Sequence, residues 1–223
     1  MYCFDCFIFA EQLGGDMENI TVVAGDTSTV AMGMGGFGSR QTITAGSSAH
    51  LAAIEVRDKA LKVAAHMLEA AEADLEIEGG EVRVKGVPDM AVTLAQVAHA
   101  VAGTPGYALP AGISPGMEAT SNFVTDALAY CNGCHVCEVE VDPETGGVKI
   151  LGYAVVHDSG TLIHPDIVTG QVQGGVAHGI GNAMFEWMGY DADANPITTN
   201  FVDYLLPTAP EMPNFDIIFN ESP

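Results

Sequence analysis

Basic residues are scarce in this sequence. Seven lysines and arginines stand against 29 aspartates and glutamates in 223 residues, which gives a formal net charge of −22 at pH 7. A strongly acidic protein is repelled by phosphate backbones and by anionic lipid headgroups. We therefore expect neither nucleic acid nor a membrane surface as a partner.

Long hydrophobic runs are also missing. No stretch approaches ~20 apolar residues, the length that a membrane-spanning helix needs. The apolar segment Met1–Ala10 is short, and it lacks the basic region and the small-residue cleavage site of a signal peptide. Five cysteines, an odd number in a chain of this length, do not indicate a secreted disulfide scaffold. We therefore expect a reducing, cytoplasmic location.

Aliphatic side chains and glycines are abundant. The composition is 48% hydrophobic and 16% charged, which excludes a disordered chain. Apolar residues recur with the helical period over 47–73, and a second helix, interrupted by glycines, is predicted over Ile167–Met188. Alternating patterns on both sides of turn residues predict two β-hairpins, over 75–85 and 136–156. We therefore predict an α+β fold, in which hairpin-built mixed sheets are flanked by two long helices.

Shorter elements are expected between these. The β-branched run Ile20–Ala24 predicts a strand, and Thr93 predicts the cap of a helix that ends at Val101. The segment 103–121, rich in proline and glycine, predicts an irregular loop. The tail, 201–220, predicts strands interrupted by prolines. Both ends of the chain are abrupt, so we expect it to be incomplete at both ends.

A glycine-rich loop, Gly33–Arg40, matches the GxGxxG string of dinucleotide-binding proteins. That fingerprint needs a strand leading directly into the loop and a helix starting at it, and neither is predicted here. The backbone N–H groups of such a loop also suit other anionic cofactors. Arg40, one of only three arginines, adds a cation at the end of the loop. The alternative is a tight turn with a surface arginine.

The segment Gly170–Gly181 contains five glycines within a predicted helix. Each glycine costs a helix about 1 kcal/mol relative to alanine. The pattern predicts that a partner element or a ligand approaches this backbone closely. The amide of Gln171 both donates and accepts hydrogen bonds, which suits a flat heteroaromatic ligand. Close packing of helices through their glycine faces is the alternative.

Two further patterns suggest chemistry that the sequence supports less well. The string Cys131–His135 matches c-type haem attachment, which would need an export route and a sixth ligand. Cys134, His135 and Cys137 lack the second ligand pair of a zinc site. Adjacent residues of His157–Ser159 point to opposite faces of a strand, which argues against a catalytic triad. We expect small cysteines that fill a strand and turn, with haem attachment as an alternative.

Four segments together resemble one known family. They are NITVVAGDT at 19–27, GGFGSR at 35–40, VEVDPETG at 139–146 with VHDSGTLIHP at 156–165, and GQVQGGVAHGIG at 170–181. In this order they resemble motifs of the molybdenum-binding large subunit of the xanthine dehydrogenase and aldehyde oxidase family. The likeness is greatest to the aerobic carbon monoxide dehydrogenase-type branch of that family.

The resemblance implies a molybdopterin-type cofactor in its cytosine dinucleotide form. In this family the pterin itself holds the metal, so no protein metal ligand is expected. The family's catalytic glutamate lies downstream of the last strand, beyond Pro223, so no catalytic residue is expected in this sequence. Two positions depart from the family pattern: His164 replaces asparagine and His178 replaces glutamine. The residues that match the family's cofactor contacts are Gly36, Phe37, Gly38, Ser39, Arg40, Gln41, Thr42 and Gln171.

The resemblance also implies an activity and partners. The family hydroxylates an aldehyde, an N-heterocycle or carbon monoxide with oxygen from water. Electrons leave through a 2Fe-2S centre and FAD, carried by a small and a medium subunit of a hetero-oligomer or by further domains. We expect residues 11–223 to form the second part of the cofactor domain, after an atypical stretch over 1–10, and this polypeptide alone to be inactive. The alternative is a non-catalytic cofactor-binding or assembly module.

Overall fold

The protein divides into two compact units, Met1–Ala127 and Leu128–Pro223, in a computed structural model. The structure describes residues 4–30, 32–33, 35–103, 105 and 108–222. Each unit has its own hydrophobic core and its own three-stranded sheet. The predicted mixture of helices and hairpin-built sheets is confirmed.

The first unit packs helices against an antiparallel sheet with strand order β1-β2-β3. Its core contains the fully buried side chains Val63, Val82 and Val97, contributed by a helix, a strand and a second helix. The elements are α1 (Phe4–Leu13), α2 (Ser47–Leu68), β1 (Leu75–Glu78), β2 (Glu81–Val84), β3 (Val87–Thr93) and α3 (Leu94–Val101).

Local hydrogen bonds explain where α3 begins and how α1 is held. The hydroxyl of Thr93 accepts from the N–H of Gln96 at 3.1 Å, and the Gln96 side chain accepts from the N–H of Thr93 at 2.8 Å. This reciprocal capping box satisfies two backbone donors and confirms the predicted threonine cap. On α2, the Arg57 guanidinium donates to the side-chain oxygen of Gln12 at 2.7 Å, which connects α1 to α2.

The second unit is one sheet with one helix against it. The strands β4 (Asn132–Val141) and β5 (Val148–Asp158) form an antiparallel hairpin, and β6 (Phe215–Phe219) pairs with β5 in parallel. Helix α4 (Pro165–Met184) packs on the sheet face that carries Val155, which is fully buried. Because β5 and β6 are parallel, their C-terminal ends lie at the same end of the sheet, next to the loop that leads into α4.

The predicted hairpins and helices are confirmed with shifted limits. Helix α2 ends at Leu68 rather than at residue 73, because Glu69 adopts a left-handed conformation. Helix α4 covers Pro165–Met184 rather than Ile167–Met188. Helix α1 and strand β3 were not predicted. Pro88 weakens the strand signal of β3, and this strand tolerates a proline because it lies at the edge of its sheet.

The predicted strand Ile20–Ala24 is wrong. Residues 21–24 are exposed, and the structure pairs them with no other strand among the described residues. A β-branched run forms a strand only where a neighbouring strand accepts its hydrogen bonds. The sheet of the first unit is already built from β1, β2 and β3.

The first strand predicted in the tail is also wrong, whereas the second is confirmed as β6. Residues 201–204 form turns because the side-chain oxygen of Asn200 accepts from the N–H groups of Val202 and Asp203, at 2.8 and 3.3 Å. Asparagine side chains that bond to nearby backbone in this way compete with strand formation.

Glu69 allows a direct test of the C-terminus of α2. Its φ is +52°, and its N–H donates to the carbonyl of Ala65. Replacing it by glycine relieves a left-handed conformation that costs a residue with a β-carbon about 1 kcal/mol. Glu69→Gly is therefore expected to unfold at higher urea concentration than Glu69→Ala, which removes the same charge but keeps the β-carbon. Equal midpoints for the two variants would contradict this account of the helix end.

Candidate functional site

The glycine-rich segment 33–42 lies on the surface of the first unit. Gly35 and Gly38 have φ of +76° and +62°, which a residue with a β-carbon adopts only with strain. Ser39, at φ +52°, leads the chain into Arg40. Every described residue of this segment is exposed except Arg40, which is half-buried. The peptide groups of the segment are therefore accessible to a ligand.

Arg40 is held against an aromatic ring and has an unused donor. Its guanidinium carbon lies 3.9 Å from the centre of the Phe37 ring, a cation–π contact. Its Nε is buried and has no hydrogen-bond partner within the part of the chain that the structure describes. Buried donors on a charged group are normally satisfied, because an unpaired one costs free energy. This donor therefore fits an acceptor from outside the chain, and an anionic oxygen is the best match.

A widened helical turn follows Arg40 directly. Residues Thr42–Gly46 form a π-helix that continues into α2, and such turns often occur at functional sites. The carbonyl of Arg40 accepts from the N–H groups of Ile43 and Thr44, at 3.0 and 3.1 Å. The backbone of Arg40 is therefore fixed by the first turn of the helix.

Gly36 and Gln41 are brought together within this segment. A β-carbon at Gly36 would lie 2.6 Å from Nε2 of Gln41, so a larger residue there would displace that amide. Gln41 and Thr42 are exposed at the beginning of the helix, where backbone N–H groups and the helix dipole favour anions. The structure thus clusters Gly36, Phe37, Arg40 and Gln41 on one surface of the first unit.

Gln171 lies in the second unit and lines a groove of about 560 Å³ between α4 and the sheet. Gly175 and Gly179 follow Gln171 at intervals of one helical turn and line the same groove. A volume of this size is in the usual range for small-molecule sites. Its other lining residues are His135, Cys137, Val139, Ile150, Tyr153, His157, Val172, Val176, Ile180, Ala183 and Met184.

The glycines of α4 differ in their surroundings. A β-carbon at Gly170, Gly174, Gly175 or Gly179 would meet nothing within 4 Å beyond the helix's own backbone. One at Gly181 would lie 2.5 Å from Oε1 of Glu186 and 3.0 Å from the ring of Pro207. Among the described residues, another part of the chain approaches the helix closely at Gly181. At the other four positions the predicted close approach, by a partner element or by a ligand, stays a prediction.

Sequence reasoning missed the polar groups that share the groove with Gln171. The hydroxyl of Tyr153 lies 3.3 Å from Nδ1 of His135, and the two rings meet edge to face. His157 lies on the same face of β5 as Tyr153, four residues further along the strand. The alternation of the hairpin sequence carries this signal, because residues two apart share a face. Nothing in the sequence indicated which face α4 covers.

The alternative zinc interpretation gains no support. Within the described residues, no group of three or more His, Cys, Asp and Glu side chains is arranged to hold a metal ion. Cys131, Cys134 and Cys137 are free, exposed thiols. His157 and Asp158 take opposite faces of β5, as the sequence predicts, so a relay between them is not formed. Among the helices described, none is long and apolar enough to span a bilayer.

Two exposed aspartates are held ionised by turns. The Asp26 carboxylate accepts from the hydroxyl and N–H of Ser28, at 2.6 and 2.9 Å, and these bonds lower its pKa. The pKa of Asp142 is lowered by the Thr145 hydroxyl and by the N–H of Glu144 in the hairpin turn. Both residues belong to the motifs noted in the sequence, and both stabilise a turn by accepting hydrogen bonds from residues two or three positions further on.

Comparison with known proteins gives one consistent result. Residues 6–213 match the family described as molybdopterin cofactor-binding domain. The chain is 40% identical over 214 residues to the 6-hydroxypseudooxynicotine dehydrogenase complex subunit gamma of Paenarthrobacter nicotinovorans, which covers 96% of this chain and 27% of the relative. It is also 40% identical over 209 residues to the carbon monoxide dehydrogenase large chain of Hydrogenophaga pseudoflava. That match covers 94% of this chain and 26% of the relative.

A solved structure gives the same result for the fold. Quinoline 2-oxidoreductase from Pseudomonas putida 86 superposes with a TM-score of 0.89 at 34% identity, covering 100% of this chain and 28% of that protein. The chain thus spans about a quarter of the length of the proteins that it matches.

The contrast between the glycines of α4 yields a stability test. Gly181→Ala and Gly175→Ala gain the same helix propensity, but only the first presses a methyl group against the Pro207 ring. Overpacking of this kind costs about 1–3 kcal/mol. We expect Gly175→Ala to be at least as stable as the parent protein in urea unfolding, and Gly181→Ala to be less stable than Gly175→Ala. The reverse order would show that Pro207 does not constrain the helix.

Proposed function

Since the chain belongs to the molybdopterin cofactor-binding domain family, we propose that it contributes cofactor contacts to the large subunit of a molybdenum hydroxylase. The family resemblance inferred from the four sequence motifs is confirmed by the match over residues 6–213. In this proposal residues 11–223 are the second part of the cofactor domain, after an atypical stretch over 1–10. The surrounding parts of the subunit lie outside these 223 residues.

The buried Nε of Arg40, which has no hydrogen-bond partner among the described residues, is the observation that carries the proposal. The Arg40 guanidinium stacks on Phe37, and its unpaired N–H can donate a charge-assisted hydrogen bond to an anionic oxygen. A molybdopterin cofactor carries such oxygens on its phosphate. Close to it in the sequence, the exposed residues Gly36 and Gly38 offer backbone N–H groups to a ligand. The donor set of this segment therefore fits the cofactor that the family binds.

The remaining contacts have different tasks. The side chains of Gln41 and Thr42 add donors at the N-terminal end of the helix, where the dipole favours negative charge. The amide of Gln171, on the second unit, donates and accepts, which suits the mixed edge of a pterin. When bound, such a cofactor supplies a molybdenum centre that takes up electrons from the substrate. The chain's own residues bind and orient the cofactor and provide no catalytic group.

We extend this proposal to the whole enzyme on the basis of its relatives. The parent reaction is oxidative hydroxylation of an aldehyde, an N-heterocycle or carbon monoxide, with water as the oxygen source. The cofactor is the cytosine dinucleotide form, and electrons pass to 2Fe-2S and FAD groups on a small and a medium subunit in the cytoplasm. The names of the relatives support an oxidoreductase of several subunits, since they are a dehydrogenase complex subunit and a dehydrogenase large chain. The catalytic glutamate comes from residues outside this sequence.

Molybdenum analysis of the assembled protein tests the proposal as a whole. After gel filtration, a cofactor domain retains molybdenum and pterin in a stoichiometric ratio to the chain. An assembly module that has lost the chemistry passes the column without either. Stoichiometric molybdenum supports the proposal, and its absence from protein made in a cofactor-producing host overturns it.

Arg40→Met tests the contact on which the proposal depends. The substitution keeps a linear apolar side chain on Phe37 but removes the guanidinium. A charge-assisted hydrogen bond contributes about 1.5–3 kcal/mol, so we expect cofactor affinity to fall by at least about tenfold, measured as pterin released on dilution. Arg57→Met is the matched control, because the Arg57 guanidinium is already bonded to Gln12 and Asp58. Equal retention by the two variants would remove Arg40 from the site.

Gln171→Ala tests the contribution of the second unit, with Gln173→Ala as its control. Both glutamines are exposed on α4, but only Gln171 lines the groove. Loss of one neutral hydrogen bond costs about 0.5–1.5 kcal/mol, so we expect cofactor affinity to fall by a few-fold in the first variant only. The same loss in both variants, or in neither, would argue against a specific contact from Gln171.

A further inference from the structure

The carboxylate of Asp158, the last residue of β5, binds two stretches that are far apart in the sequence. Its Oδ1 accepts from the N–H of Gly160 at 2.9 Å, two residues along the chain. The same oxygen accepts from the N–H and the hydroxyl of Ser222, at 3.2 and 3.0 Å. One half-buried carboxylate therefore joins the loop after β5 to the segment after β6.

Neighbouring residues strengthen this junction. The carboxylate of Glu221 accepts from the N–H of Leu162 at 2.9 Å, and the N–H of Asn220 donates to the carbonyl of His157 at 3.0 Å. The three residues 220–222 are thus bonded, one after another, to residues 157–162. We name this set of contacts the Asp158 clasp.

The clasp holds the loop that leads into α4. The loop 159–164 contains no helix or strand, and Gly160 within it has a φ of +72°. It ends at His164, which is buried and precedes Pro165 at the start of the helix. Gln171 lies two turns further along the same helix. The bonds from this loop to residues 220–222 therefore restrain the segment that leads into the helix.

We propose that Asp158 is a positioning residue, which fixes the N-terminal half of α4 by binding residues 220–222 to the loop 159–164. The part of this proposal that concerns the cofactor rests on the proposed function, because it acts through Gln171. An ionised carboxylate suits the task, since it accepts several bonds and repels none of these donors. The same bonds, from Gly160 first and then from Ser222, lower the pKa of Asp158, so it stays ionised at neutral pH.

Asp142 provides a matched control at the opposite end of β5. It also accepts from a backbone N–H and a hydroxyl in a turn, and its pKa is lowered in the same way. Its partners, Glu144 and Thr145, lie within its own hairpin turn, so it joins no second segment. Asp142→Ala therefore removes a comparable set of bonds without releasing α4.

Hydrogen exchange followed by mass spectrometry tests the clasp without any cofactor. In Asp158→Ala we expect at least tenfold faster exchange of the amides over 160–171, with β4 and the first unit unchanged. Asp158→Asn, which retains an Oδ1 acceptor, is expected to restore most of the protection. Asp142→Ala is expected to change only the amides over 142–147. Unchanged exchange over 160–171 in Asp158→Ala would overturn the proposal.

A milder variant and a cofactor measurement complete the test. Ser222→Ala removes one bond and is expected to give a smaller increase over the same amides, which covers the case in which Asp158→Ala does not fold. In the assembled, molybdenum-loaded protein, Asp158→Ala is expected to release pterin at least fivefold faster than Asp142→Ala. Equal release of pterin from the two variants would overturn the positioning role. A parent protein without molybdenum would instead overturn the proposed function, and the exchange test would then decide whether Asp158 fixes the start of α4.

Discussion

Exposed glycine backbone is the constraint on which the rest of the molecule depends. Four glycines of α4 each cost the helix about 1 kcal/mol relative to alanine, and their missing side chains leave space that the second unit does not fill. In the first unit, Gly35 and Gly38 keep conformations that only glycine adopts without strain. Direct contact between a ligand and the peptide groups would offset this cost, and a β-carbon would obstruct that contact.

Electrostatics narrows the choice of ligand. The chain carries a net charge of −22, and Arg40 is one of only three arginines in it. Its buried Nε has no hydrogen-bond partner among the described residues. Stacking on Phe37 fixes the Arg40 guanidinium, and a fixed cation loses less conformational entropy when an anion binds. The donor set favours a ligand with anionic oxygens, and the family that the chain belongs to is described as molybdopterin cofactor-binding.

Features with local causes could be predicted from the sequence. The capping box of α3 depends on residues three apart, and each hairpin depends on alternation around its own turn. Features with distant causes could not. The run Ile20–Ala24 has strand composition but pairs with no strand among the described residues. Residues 201–204 form turns because the Asn200 side chain competes for their backbone.

The candidate site shows the same division. The glycine-rich segment and the glycines of α4 could be recognised from the sequence by their composition. The spacing of Phe37 and Arg40 is compatible with the contact between their side chains. The groove around Gln171 depends on the parallel pairing of β6 and on which sheet face α4 covers, so His135, Tyr153 and His157 could not be placed there in advance. The Asp158 clasp joins residues about 60 positions apart, beyond the range of any local pattern.

A crystal structure of the assembled, molybdenum-loaded protein tests the central claim most directly. We expect an oxygen of the cofactor within about 3 Å of Arg40 Nε, the distance of a charge-assisted hydrogen bond. We also expect cofactor atoms in van der Waals contact with the exposed glycine backbone. Cofactor density that leaves Arg40 bonded only to protein groups would contradict the account.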